Sequence, residues 1–267
     1  MPDWKWKRIL ILGMTYPAYS SSYTENVCTG GVDAETKKLV RIHPVPLRYL
    51  DPDHQFRTFQ WIEARVTRHP SDPRPESLRI DPSSIRLGES IPATEPMERR
   101  RWLDHSPHVV SSVRELKDRQ KADGTSLGIV IPRSLGEPTL AQRSERERTE
   151  WEEKERQVLS QTNLFGEKPK PIDFPEMKFR VTWDCEPADC PGHTMNLSEW
   201  GLHQLARKYR DPSEREAKVL KAMEKRLHPN KLVYLFLGSF RGVQYNFGLM
   251  GAWSTKQDFQ TVLDLDA

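Results

Sequence analysis

The stretch WDCEPADCPGHTMNLSEW, residues 183–200, carries Cys185, Cys190 and His193 in a Cys-x4-Cys-x2-His spacing. Thiolate and imidazole are the donors taken by zinc and by iron-sulfur centres, and donors sharing a short loop lose less entropy when they converge. Pro187 and the Pro191-Gly192 pair bend the chain between them. A closed tetrahedral centre needs one more ligand. Cys28 is the one remaining cysteine, and Gly30 and Gly31 beside it let backbone come close to a neighbour, which makes it the natural fourth donor. A Cys3His set of Cys28, Cys185, Cys190 and His193 suits structural zinc, and the same donors can hold an iron-sulfur cluster; the residue types leave both open. With four protein donors no position remains for water, so the centre is structural or redox-active. The plain alternative makes Cys28 a small core residue and His193 a cap or surface residue.

The elements that must position these donors are legible from pattern. Residues 8–14, 27–32 and 38–43 are rich in Ile, Leu and Val and read as strands, the second and third forming an N-terminal hairpin across residues 33–36. Residues 59–66 read as another strand. Prolines recur from 70 to 96, which forbids a long regular element and predicts an extended, surface-hugging connection. Helical spacing covers 97–103 and 109–121, with Gly124 as a stop before the strand SLGIVIP. Residues 143–157, RSERERTEWEEKERQ, predict a solvated helix laced by ion pairs and anchored by Trp151.

GEKPKPIDFP, residues 166–175, reads as a linker dividing the chain into 1–165, β-rich with a helical excursion, and 166–267, although one compact domain is also consistent. A strand at 177–183 runs into the cysteine loop, and helices follow at 197–209 and 212–227, the latter capped by Asp211. Two apolar strands around Arg241 and Gly242 close the chain as a central hairpin. The fold class is α+β: a mixed or antiparallel sheet with flanking helices, its N-terminal and C-terminal hairpins tied by the metal centre.

TYPAYSSSYTENVCTGGV, LVRIHPVPLRYL, FQWIEARV with RPES, CPGH before a Trp-bearing helix, and a GSF…FGLMGAW ending together resemble a family of uncharacterised prokaryotic proteins. Its members carry an N-terminal Cys-Thr-(Ala/Gly)-Gly motif and a late Cys…Cys-x-Gly-His motif. The resemblance covers most of the chain and implies the same four-residue grouping, with no activity attached. Gly30 stands where the family has alanine.

Other residues could carry chemistry. Asp53, then Glu63-Ala64-Arg65, superficially resembles the carboxylate layout of Mg2+-dependent nucleases, but Arg65 replaces the lysine and cannot act as a base. Cys28 with His43 as base would make a thiol enzyme. Arg41, His43, Arg48 and Arg74 could gather a positive pocket for phosphate, with Tyr16, Tyr19 and Tyr23 as stacking partners. No Walker or dinucleotide phosphate loop is present.

The 267 residues suffice for a sizeable core, with 36% hydrophobic and 30% charged side chains. Forty-one basic against 38 acidic residues give a net charge of +3, too small to establish a nucleic-acid partner. The apolar run at 9–14 is too short for an export signal, no run is long enough to cross a bilayer, and three cysteines do not make a disulfide framework, so the cytosol is the expected compartment. The leading expectation is a metal-centred intracellular protein that binds or processes nucleic acid or a nucleotide; a nuclease or thiol enzyme, and an iron-sulfur redox sensor, are the alternatives.

Overall fold

The structure, a computed structural model, describes residues 2–19, 25–160, 170–240 and 245–256. Tyr23, Arg241, Gly242 and the first part of the expected linker lie outside the described residues.

Five strands close into a small barrel. Lys5–Met14 pairs antiparallel with Thr29–Asp33, which pairs with Leu39–Ile42, and the latter runs parallel to Ser77–Ile80. Ser77–Ile80 then pairs with Gln60–Arg68, which returns to Lys5–Met14 and completes the ring; Arg86–Ser90 adds to the Gln60–Arg68 strand. Closure leaves few unpaired backbone edges. The expected N-terminal hairpin is therefore present, as one part of a ring. The proline-rich stretch is a correction: it contains two strands, because Pro70, Pro73, Pro75, Pro82 and Pro92 all fall in the connections around Ser77–Ile80 and Arg86–Ser90.

The first strand shows how sequence alternation becomes layering. Ile9 and Ile11 point into the barrel with Ile42, Ile62, Val66 and Ile80. Leu10 and Leu12 point outward into a second apolar layer with Leu127, Ile129, Tyr234, Phe236 and Met250. Burial of each such side chain contributes roughly 1.5–3 kcal/mol. Gly31 of the CTGG motif serves this layering, since a Cβ there would come within 2.6 Å of Ile9 Cγ2 and of the Leu10 carbonyl.

The second sheet, in the order Phe247–Lys256, Lys231–Ser239, Leu127–Val130 and Val109–Val110, lies against the barrel. The C-terminal hairpin is not central as expected, since Phe247–Lys256 is the edge strand of this sheet; its apolar runs are accounted for by the cover on both faces. Val233, Leu235 and Leu237 face a third layer built from the strand Met177–Asp184 and the helices Val113–Asp123, Trp200–Arg207 and Pro212–Arg226. The strands Ser134–Leu135, Thr139–Gln142 and His193–Asn196 all pair with Met177–Asp184. The architecture is α+β. The charged helix is Glu145–Leu159, opened by a capping box of Ser144 and Glu147 and laced by Arg143–Glu147 and Arg146–Glu150 pairs. Trp151 anchors it, donating from its indole to the Ile172 carbonyl at 3.3 Å.

Candidate metal centre

Cys185, Cys190 and His193 occupy the turn of a hairpin. Met177–Asp184 pairs antiparallel with His193–Asn196, and Trp183 lies opposite His193 in that register. The cross-strand pairing therefore brings His193 beside the residue that follows Asp184, which is Cys185. His193 Nε2 lies 3.2 Å from Cys185 Sγ and 3.4 Å from Cys190 Sγ, and the donor atoms of all three residues fall within 4.8 Å of one another. Gly192 adopts φ 77°, the left-handed turn that folds the chain back from Cys190 to His193.

Thiolates here would meet several N–H donors. The backbone N–H of Cys185 reaches Cys190 Sγ at 3.2 Å. Burial raises the pKa of the Cys185 thiol, opposed by the Val113 backbone N–H and the Trp183 indole. That indole nitrogen is buried and meets no conventional acceptor among the described residues. Burial acts on Cys190 too, yet the N–H groups of Cys185 and Gly192 hold its pKa below the ordinary value. Burial, with Lys117 nearby, lowers the pKa of His193 and keeps its imidazole in the neutral, ligating form. N–H donors directed at sulfur are the usual outer partners of metal-bound cysteines.

The three donors line a cavity of about 200 Å3, whose opposite wall is the first turn of the helix Val113–Asp123. Ser112 caps that helix, and Arg114 pairs with Asp189 of the cysteine loop at 2.8 Å on the surface. Lys117 lines the same space and makes no ion pair among the described residues.

Cys28 is not in this group. It packs beside the layer between barrel and second sheet, with its backbone tied to Thr15, whose side chain accepts from the Cys28 N–H at 3.1 Å. The expected fourth donor, and with it a metal tie between the N-terminal and C-terminal hairpins, is replaced by a three-donor group on one hairpin.

The arginines expected at a phosphate site are engaged within the protein. Arg41 is 1% exposed and donates to Ser126 Oγ at 2.7 Å and to the Ser126 carbonyl at 3.1 Å. Arg74 pairs with Asp72 at 2.6 Å and donates to the Ser239 carbonyl. Arg48 pairs with Glu25 at 2.7 Å and holds the Lys170 and Pro171 carbonyls. His43 is buried against the ring of His69, at 5.6 Å between centroids. Tyr16 and Tyr19 hold the segment at 172–173, Tyr16 donating to the Asp173 carbonyl and Tyr19 accepting from the Ile172 N–H. Asp53 and Glu63 are exposed, and neither joins a group of three close donors among the described residues.

Sequence reasoning passed over Trp183, Val113 and Lys117 as contributors to the site. The Ser112/Glu115 pattern of a helix start was a usable signal, since it places a helix N-terminus close to some other element. Nothing local says that this element is the cysteine loop.

No curated protein matches the chain. A family model described as a domain of unknown function, DUF8758, matches residues 5–105. A second, described as a domain of unknown function, DUF8757, matches residues 109–265. The two meet near the end of the barrel region, and the GEKPKPIDFP stretch falls inside the second. That second match spans more than half of the chain, and the protein belongs to the DUF8757 family.

Proposed function

We propose that this protein binds zinc through Cys185, Cys190 and His193 and keeps the fourth coordination position open to the cavity beside them. The observation that carries the reading is the convergence of two sulfurs and one imidazole nitrogen within 4.8 Å at the wall of that cavity. Donors at ordinary zinc bond lengths lie about 3.5–3.8 Å apart around a tetrahedral ion, so the 3.2 and 3.4 Å separations need only a small opening. Three donors suit a single ion better than an iron-sulfur cluster, which ordinarily takes four protein ligands. A zinc ion with three protein ligands supplies a place for water or an exogenous anion. Ser112 and Lys117 would meet that ligand from the helix side. The reading does not extend to nucleic acid, because the cations expected at such a contact are occupied elsewhere.

Elemental analysis of the freshly purified chain tests this directly. About one zinc per chain is expected, lost in Cys185→Ser, Cys190→Ser and His193→Ala and retained in Cys28→Ser. Brown protein containing iron and sulfide, or protein without metal, would sink it.

A further inference from the structure

A second cavity, of about 330 Å3, lies where the N-terminal Tyr-Pro loop meets the C-terminal helices. Its inner wall is Met177, Phe179, Ala206 and His203, all buried. The His203 ring packs against two tilted aromatic rings, Tyr16 at 4.4 Å and Phe179 at 4.5 Å. It is only 7% exposed, and among the described residues no hydrogen bond reaches either of its nitrogens. Burial, and secondarily Arg143, pushes its pKa down to about 3, so at neutral pH the imidazole is uncharged with one donor and one acceptor. Neither nitrogen is among the buried side-chain atoms left without a partner, so the polar edge of the ring opens to the cavity, where a ligand can pair with it.

The rim decides the charge of that ligand. Arg207 follows His203 by one helical turn and pairs with Asp173 at 2.5 Å, while Arg215 pairs with Glu176. The two cations are thus matched by two carboxylates. An anion or a cation entering here would have to break an existing pair, whereas an uncharged molecule would not. The volume is at the lower end of the ~300–1,000 Å3 range of small-molecule pockets, and the rings of Tyr16, Phe174, Phe179 and His203 form part of the lining beside the charged rim.

We propose that this cavity binds an uncharged, planar nitrogen heterocycle of nucleobase size, hydrogen-bonded at depth to His203 and flanked by Tyr16 and Phe179. The site is separate from the cysteine loop and stands whether or not zinc binds there. The same chemistry is offered by a free nucleoside and by a base splayed from a single strand, and the experiment separates them.

Calorimetric titration of the full-length protein with adenosine, AMP and a short single-stranded oligo-dA tests it. Adenosine should bind with a Kd of about 1 mM or tighter and should shift the His203 imidazole resonances, a readout that needs no variant. His203→Phe, which preserves the ring packing, should weaken adenosine at least about tenfold, while Arg207→Gln leaves it within about twofold. Tighter binding of the oligonucleotide than of adenosine assigns the base to a strand, and the reverse assigns it to a free nucleoside. Absence of binding by both, an unmoved His203 signal, or AMP binding that exceeds adenosine at least tenfold and collapses in Arg207→Gln would overturn the proposal.

Discussion

Two polar clusters in this molecule serve opposite ends. Around Arg41, charge is cancelled inside the protein: Ser126 takes the guanidinium at its hydroxyl and passes a hydrogen bond to Glu76 at 2.7 Å, while the Glu76 carboxylate also accepts from the Ser126 N–H at 2.7 Å. Arg74 and Asp72 repeat the arrangement alongside. These contacts join barrel strands to Leu127–Val130 and Lys231–Ser239, so they act as polar bolts between layers. The cysteine loop differs. Its sulfurs and imidazole nitrogen turn toward one another, its nearby N–H groups favour thiolate, and a cavity remains open in front. Polar groups that satisfy each other hold a fold together; those whose lone pairs converge are waiting for something else.

The largest effect should come from breaking the first cluster. Glu76→Ala leaves Arg41 buried without its acidic neighbour and should cost about 3–5 kcal/mol in urea unfolding, with zinc content unchanged in whatever folds. A loss below about 1 kcal/mol would show that the cluster is not a bolt.

Acid should come next. Burial pushes His43 down to about 4, with His69 and Arg74 adding to it, and His203 down to about 3. The unfolded chain takes up those protons near pH 6.5 and the folded chain only near the lower values. Between these limits the unfolded state binds more protons, so stability falls as pH drops from about 6.5 toward 4, by up to about 1.4 kcal/mol per pH unit for each histidine. Unfolding free energy measured at intervals across that window checks it, and His203→Phe should flatten the slope.

Gly192→Ala addresses the second cluster. The φ of 77° strains an L-residue, and the new Cβ would lie 3.3 Å from Asp184 Oδ1. A cost of about 1–2 kcal/mol is expected, appearing as roughly tenfold weaker zinc binding in a competition titration. The smallest effect belongs to a site remote from both clusters. Ser144→Ala removes the capping-box hydroxyl of the charged helix and should cost about 1 kcal/mol in thermal unfolding, with zinc stoichiometry unaltered.

Much of the local structure could be read in advance. Apolar runs marked the first strand and the closing hairpin, Gly124 marked the end of the helix Val113–Asp123, and Asp211 marked the start of Pro212–Arg226, where its side chain accepts from the Glu214 N–H at 2.7 Å. The short strands Ser134–Leu135, Thr139–Gln142 and His193–Asn196 were not legible, because each is stabilised by Met177–Asp184 and not by its own composition. Arg41 looked like a surface cation since nothing within a few residues shows that Ser126 will take its guanidinium, whereas Asp72, two positions before Arg74, was a usable local signal for that pair.

Short-range spacing supplied the proximity of Cys185, Cys190 and His193, and the hairpin pairing across them completed their convergence. All three lie on one short hairpin turn, whose closure depends on neighbouring residues and on the backbone freedom of Gly192. That Cys28 lies elsewhere, that Arg41 is buried while Arg48 and Arg74 are paired within the protein, and that His203 borders a cavity were outcomes of the folded arrangement. Those outcomes depend on which strand faces cover one another once the barrel closes and the second sheet packs on it. Contacts between residues far apart in the chain are set by that packing, and no spacing within the chain encodes them.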